Sequence, residues 1–173
     1  MWIQPKERVV KTGIIKTVLL ATALVTGVGA CASGGGAGGT AVYRENLGRV
    51  LAGPLEEARL LIWGKHAIPM EREQRSSQNI RVESVWMMRG PEPAEAAAGV
   101  LQARNRVVLD ARALEREMDM SEGPYRATLE VRNEVRSETV PDWHPGPMPD
   151  AVRERFREVY NDMRLEVATG VRR

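Results

Sequence analysis

The 173 residues carry 25 Lys+Arg against 23 Asp+Glu, two His and one Cys, with 43% hydrophobic residues. That length suits one compact domain, and a single Cys leaves no internal disulfide, Cys-based zinc cluster or CxxC redox pair. Balanced charge argues against a strongly basic nucleic-acid binder and against a highly charged disordered chain.

The first segment reads as a sorting signal. Lys6, Arg8, Lys11 and Lys16 stand against Glu7 alone, and residues 17–30 (TVLLATALVTGVGA) are uncharged. A basic head and a short apolar run have the layout of a secretory signal peptide, whereas a spanning helix wants about 20 apolar residues. The run closes on Val28-Gly29-Ala30-Cys31. Small residues ahead of a Cys at this place resemble the lipobox of bacterial lipoprotein precursors, with Val28 where that family most often has Leu. The resemblance covers the first 31 residues. It implies that residues 1–30 are removed as a signal peptide and that Cys31 becomes the acylated first residue, the lipid anchor. Ala32 after the Cys, rather than Asp, resembles the class retained at the outer membrane, facing the periplasm; a cleaved signal with release into the periplasm is the alternative.

Anchoring of this kind draws roughly 0.8 kcal/mol from each buried methylene and is stable with more than one acyl chain. Residues 31–40 then give the lipidated Cys and a Gly-rich tether, ASGGGAGGT, with no side chain able to pack. Without residues 1–30 the remainder carries −1 rather than the +2 of the full chain. No attraction to nucleic acid follows from the bases of the discarded segment.

Residues 41–173 read as a single α+β domain. Residues 42–51 suggest a short strand or extended entry. Gly53-Pro54 predicts a helix start, with Glu56 and Glu57 in the first turn and Leu55, Ala58, Leu61 and Ile62 recurring at helical spacing up to Gly64. A weaker strand around residues 68–73 is expected to pair at a sheet edge, hairpin-fashion, through residues 76–79. Alternation follows over residues 80–88, placing Ile80, Val82, Trp86 and Met88 on one face and Arg81 and Glu83 on the other. Over residues 103–113 it places Ala103, Val107, Leu109, Ala111 and Ala113 together, against Arg104, Arg106, Asp110 and Arg112. The clearest alternation runs from Tyr125 through Ala127, Leu129 and Val131 to Val135, with Arg and Glu between them. Gly90-Pro91 and residues 121–124 (SEGP) supply turn chemistry. A Pro-rich loop, residues 140–149, precedes a second helix opening at Pro149-Asp150, with Val152, Phe156, Val159, Met163 and Val167 as its apolar stripe. The expected fold is therefore an antiparallel β-meander of three to five strands with two helices packed on one face.

The chemistry-bearing residues are few. His66, at a helix end, has a ready structural role against the helix dipole. His144 sits in Asp142-Trp143-His144-Pro145, where Trp143 is expected to plug the sheet–helix junction; one His beside one Asp makes a weak catalytic signal. No HxH, HExxH or CxxC occurs, so no metal site of that kind is expected. Met118-Asp119-Met120 and Trp86-Met87-Met88 offer thioethers suited to Cu(I), yet Met is also a common core filler. The acids Glu56, Glu57, Glu115 and Glu117 form no pair assignable to glycoside hydrolysis. The chain thus reads as a non-enzyme with no cofactor.

The expected role is a non-catalytic interaction or accessory module of the cell envelope, partnered by the membrane through Cys31 and by an envelope protein, with no nucleic acid. Trp143, His144, Trp86 and Met87 are the candidate partner or ligand contacts. In layout only, the arrangement is similar to accessory lipoproteins of outer-membrane assembly. The alternative is a carrier of an apolar small molecule or lipid in a sheet–helix cavity lined by Trp63, Trp86, Met87, Met88 and Phe156.

Overall fold

The structure, a computed structural model, describes residues 40–114 and 124–170. Cys31 with the expected lipobox, most of the expected tether, Met118-Asp119-Met120, Glu115, Glu117 and residues 121–123 of the expected turn lie outside the described residues. The fold is α+β, as the alternation predicts. Strands β1 (Val42–Val50), β2 (Met70–Arg75), β3 (Asn79–Ser84), β4 (Met87–Arg89), β5 (Val100–Ala113), β6 (Tyr125–Ser137) and β7 (His144–Pro145) form one antiparallel sheet. Its order is β1-β6-β5-β3-β2, with β4 beside β5 and β7 beside β6. The meander β2-β3-β5-β6 is thus present. The strand β1, first in the chain, closes its far side against β6, and the helix α1 (Ala52–Lys65) carries the chain across to β2. Helices α2 (Pro93–Ala97) and α3 (Asp150–Gly170) complete the elements. The edge strand expected around residues 68–73 is β2, paired hairpin-fashion with β3. Seven strands replace the expected three to five because the strand expected over residues 80–88 is split into β3 and β4 and the two-residue β7 pairs with β6.

The period-two residues of β5 and β6 put Val107, Leu109 and Ala111 in register with Val131, Leu129 and Ala127. These join Ile80 and Val82 of β3 and Tyr43, Leu47 and Val50 of β1 in a single core. Helices α1 and α3 cover that face with Leu55, Ala58, Ile62 and Trp63, and with Val152, Phe156, Val159, Met163 and Val167. The α3 stripe is as the spacing predicts. Each such side chain contributes roughly 1.5–3 kcal/mol when buried. In α1 the stripe differs: Leu61 is exposed, and Arg59 and Trp63 are buried in its place. The helix also starts earlier, at Ala52, so Pro54 is its third residue and Glu56 and Glu57 fall beyond the first turn. Proline is tolerated there because the first four N–H groups of a helix lack intrahelical partners anyway.

The predicted strand over residues 80–88 is interrupted, and its second half is inverted. Glu83 pairs with Val108, but Met87, not Trp86, pairs with Asn105. One residue is therefore inserted between β3 and β4. Ser84 Oγ takes the Val107 N–H at 2.9 Å and donates to Val85 O at 2.8 Å, while Val85 N–H turns away to Pro69 O at 3.0 Å. A one-residue slip exchanges the two faces of everything after it. Met87 accordingly packs against the core, while Met88 is exposed and Trp86 lies over the opposite face. A second bulge, in β1, falls between Asn46 and Gly48, where Asn46 Oδ1 accepts the Gly48 N–H at 2.8 Å. Gly48 there has φ +91°, which a residue with a Cβ adopts only under strain.

Candidate functional site: the helix-free face of the sheet

With both long helices on one side, the other side of the sheet carries the alternate residues of five strands. Cross-strand register places Arg44, Arg49, Arg72, Arg81, Arg104, Arg106, Arg112, Arg126, Arg132 and Arg136 on it. The carboxylates among them are Glu71, Glu83, Asp110, Glu130 and Glu134, so guanidinium groups are in excess. Val108, the apolar member of this face on β5, is buried between Glu83 and Glu130. Glu83 is shared by Arg72, Arg81 and Arg106 at 3.2, 2.8 and 3.4 Å. Burial pushes the Glu83 carboxyl up, but these arginines, Arg81 foremost, outweigh it and hold the group below the usual carboxylate range. Glu130 is governed likewise: burial raises it, and Arg132 and Arg44 hold it down.

At one end of this face stands a ladder of alternating cations and indoles. Arg104 lies 4.3 Å from the ring centre of Trp86 and 4.3 Å from that of Trp143. Arg106 extends it over Trp86 at 4.7 Å, and Arg136 over Trp143 at 5.1 Å. Arg104 is held in plane by Glu134, with Nε and Nη2 at 2.9 and 2.6 Å from Oε2. Trp143 therefore does not plug the sheet–helix junction. Its strand-like neighbour His144 pairs with Val135, so Trp143 falls on the side of Arg136 and away from the helices. Cation–π contacts of this kind contribute about 0.5–1 kcal/mol when exposed and about 2 kcal/mol or more when desolvated.

Of the sequence-predicted contacts, Trp86 and Trp143 thus meet at one guanidinium. Met87 faces the core instead, and the His144 Nδ1 lies 3.1 Å from the Asp142 carbonyl of its own loop. His66 caps α1 and sits with Nε2 at 2.7 Å from Asp162 Oδ2, which Lys65 Nζ also approaches at 2.8 Å, tying α1 to α3. Hydrogen bonds from Lys65, then His66, hold the Asp162 carboxyl below its ordinary value. Among the described residues, no group of three or more His, Cys, Asp or Glu is placed to hold a metal ion.

The five residues named for a carrier do not share a space. Trp63 and Phe156 are buried in the core, Trp86 is in the ladder and Met88 is exposed. A recess between α1 and the sheet, lined by Leu55, Arg59, Val82 and Leu109, holds only about 10 Å³. A wider apolar groove of about 830 Å³ opens elsewhere, between α2 and the start of α3, over Val100 and Val135.

Under that groove lies a buried polar network that the sequence reading passed over. Asn105 and Asn133 occupy core-facing positions directly opposite each other, and Asn105 Nδ2 donates to Asn133 Oδ1 at 2.9 Å. Arg89 grips Glu95 with two bonds of 2.6 and 2.7 Å and also donates to Asn105 and Asn133 at 3.0 and 2.9 Å. Asn133 Nδ2 donates to the Gly146 and Pro147 carbonyls at 3.2 and 2.8 Å, fastening the Pro-rich loop. Burial raises the Glu95 carboxyl, but Arg89, the Glu92 N–H and Asn133 bring it below its ordinary value. The available signal was two Asn standing in phase with an otherwise apolar alternation.

No protein-family model matches the chain, and no curated protein matches it. The functional reading therefore rests on the geometry and on the lipobox resemblance.

Proposed function

We propose that the protein is a lipid-anchored module of the bacterial cell envelope, held through Cys31 at the outer membrane, that binds an envelope protein without catalysis. The observation that carries this reading is the uncovered sheet face, where Trp86 and Trp143 meet at Arg104 amid an excess of arginine. Rigid tryptophan and arginine are the side chains enriched where interfaces concentrate their binding energy. The tether supports the same reading, since a glycine-rich run of this length frees a domain to meet a partner near its anchor. No helix among the described residues is long and apolar enough to cross a membrane.

The test is fractionation followed by crosslinking in the native host. Cys31→Ser is expected to leave the domain folded and move it from the membrane to the soluble fraction. A photo-crosslinking residue at Trp143 is expected to capture one reproducible protein, and one at Glu154, exposed on α3, to capture none. Unchanged membrane retention removes the anchor, and equal capture at both positions removes the surface.

A second reading, carriage of an apolar small molecule, draws support from the groove over Val100 and Val135, whose volume suits a small ligand. Val135→Trp is expected to abolish uptake of an apolar fluorescent probe if this reading holds. Uptake that survives the filling sinks it.

A further inference from the structure

The ladder occupies one end of the helix-free face, and the other end holds a different arrangement. There, where β5 finishes and β6 begins, a recess of about 590 Å³ is lined by Arg44, Arg81, Arg112, Arg126 and Arg132, with Asp110, Glu130 and Thr128 between them. Five guanidinium groups therefore surround two carboxylates and a hydroxyl. The register sharpens the imbalance. Arg126 lies directly opposite Arg112 on β5 and directly opposite Arg49 on β1, so three arginines stand in a row across adjacent strands with no acid in the row. Facing side chains in such pairs have Cβ atoms only about 4.5–5.5 Å apart, and like charges placed so are destabilising.

Among the described residues, the acids nearby relieve that row only at Arg112. Asp110 serves Arg81 at 3.3 Å and Arg112 at 3.1 Å, and Glu130 is taken by Arg132 and Arg44. Among the described residues, neither Arg126 nor Arg49 has an ion-pair partner. The Arg112 side chain is 79% exposed despite its contact with Asp110, so its donors remain largely available. A fold does not gain stability from such a row, and its positive potential is complementary to a multiply charged oxyanion. Planar guanidinium forks present paired N–H donors that match phosphate oxygens, and several forks around one recess suit a dianion better than a single carboxylate.

We propose that this recess is a binding site for a phosphate-bearing anion, gripped by Arg112 and Arg126 with Arg44, Arg81 and Arg132 around them. The site is independent of the anchor and of the protein contact at the ladder. Its phosphate comes either from a soluble phosphorylated molecule or from a phospholipid headgroup, and the two sources are separable by experiment.

The experiment is calorimetric titration of the full chain, held in a neutral detergent at low salt, with two probes. One is pyrophosphate; the other is neutral detergent micelles doped with phosphatidylglycerol. Saturable binding is expected, weakened at least tenfold in Arg112→Ala/Arg126→Ala, weakened less in Arg126→Lys, and unchanged in Arg157→Ala on α3. Response to pyrophosphate assigns a soluble ligand, and response to the doped micelles alone assigns a headgroup. The same double variant is expected to melt at a higher temperature than the parent without ligand, because a like-charge row has been relieved; a purely structural pair of arginines would give a lower one. The proposal is overturned if neither probe binds saturably, if Arg157→Ala weakens binding as much as the double variant, or if the double variant melts lower. It is equally overturned if an acidic peptide binds at these arginines while both phosphate probes fail.

Discussion

Arg89 and Glu95 meet end to end beneath the groove, through two hydrogen bonds of 2.6 and 2.7 Å, with side chains only 14% and 7% exposed. The pair joins β4 to α2 and, through Asn105 and Asn133, both to the centre of the sheet. Removing one member of such a pair strands the other charge away from water. Glu95→Ala is expected to cost about 3–5 kcal/mol. Replacing both members with apolar residues, Arg89→Met/Glu95→Leu, is expected to recover much of that loss. Urea midpoints of the three proteins check this, and a Glu95→Ala cost below about 1 kcal/mol would mean the pair is not desolvated.

The same carboxylates set the acid limit of the fold. Glu83, Glu95 and Glu130 are raised by burial but brought below their ordinary values by arginines, as described above. In the unfolded chain each titrates near the ordinary glutamate value of about 4.3. Between that value and the lower folded one, the unfolded state binds more protons than the native state. Their stabilisation is therefore complete above about pH 5 and is lost as pH falls through the folded values. The urea midpoint is expected to be flat in this contribution from pH 7 to 5 and to drop below it. Equal midpoints at pH 7 and 3 would contradict the linkage.

Gly146 makes a separate demand on the Pro-rich loop. A Cβ there would stand 2.6 and 2.8 Å from the two methyl groups of Val135. Gly146 N–H also donates to Asn133 O at 3.2 Å, so the loop has little freedom to withdraw. Gly146→Ala is expected to destabilise by about 1–3 kcal/mol, the usual cost of overpacking. Val135→Ala removes both methyls, so the double variant is expected to lose less than the two singles together. Strict additivity in thermal melting would show that the clash is absorbed elsewhere.

Much of this fold was legible in the alternation of residues. Tyr125 to Val135 keeps a period of two through β6, and the faces it predicts are those observed, because β6 is paired on both sides and tolerates no slip. The reading failed where one inserted residue changes phase. Nothing in Ser84-Val85-Trp86 advertises that the Ser84 hydroxyl will take the Val107 N–H, yet this sends Trp86 and Met88 to the face opposite the one expected. Position in the sheet was hidden for a different reason: β1 pairs with β6 across about 75 to 90 residues of chain, and local patterning carries no record of that partner. The arginines of the site read as an ordinary wet face. Arg126 faces Arg112 and Arg49, and Arg132 faces Arg106, but Glu130 on the same strand serves Arg132 while no described acid serves Arg126; the facing neighbours follow only from the register.

The two faces of β6 invite a direct contrast at adjacent positions. Val131 is fully buried opposite Val107, and Arg132 is half exposed beside Glu130. Val131→Asp is expected to unfold the domain, since an unpaired charge cannot be accommodated in that core. Arg132→Ala is expected to change stability by less than about 1 kcal/mol. Circular dichroism melts of both settle the assignment of faces; a cooperative, near-parental melt for Val131→Asp would reverse it.

The ladder at Arg104 combines two interactions that substitution can separate. Glu134→Gln weakens the ion pair and leaves the guanidinium between Trp86 and Trp143, whereas Arg104→Ala removes both contacts. The ion pair is partly solvated, so Glu134→Gln is expected to cost less than about 1 kcal/mol and to leave tryptophan emission unchanged. Arg104→Ala is expected to cost about 1–2 kcal/mol and to shift the emission to the red as both rings gain water. Trp143→Phe keeps a ring face against Arg104 and Arg136, so it is expected to fall between them in stability. If Glu134→Gln and Arg104→Ala lose the same stability with the same emission, the ion pair alone holds this end of the face, and the two tryptophans are then packed against it without being fixed by it.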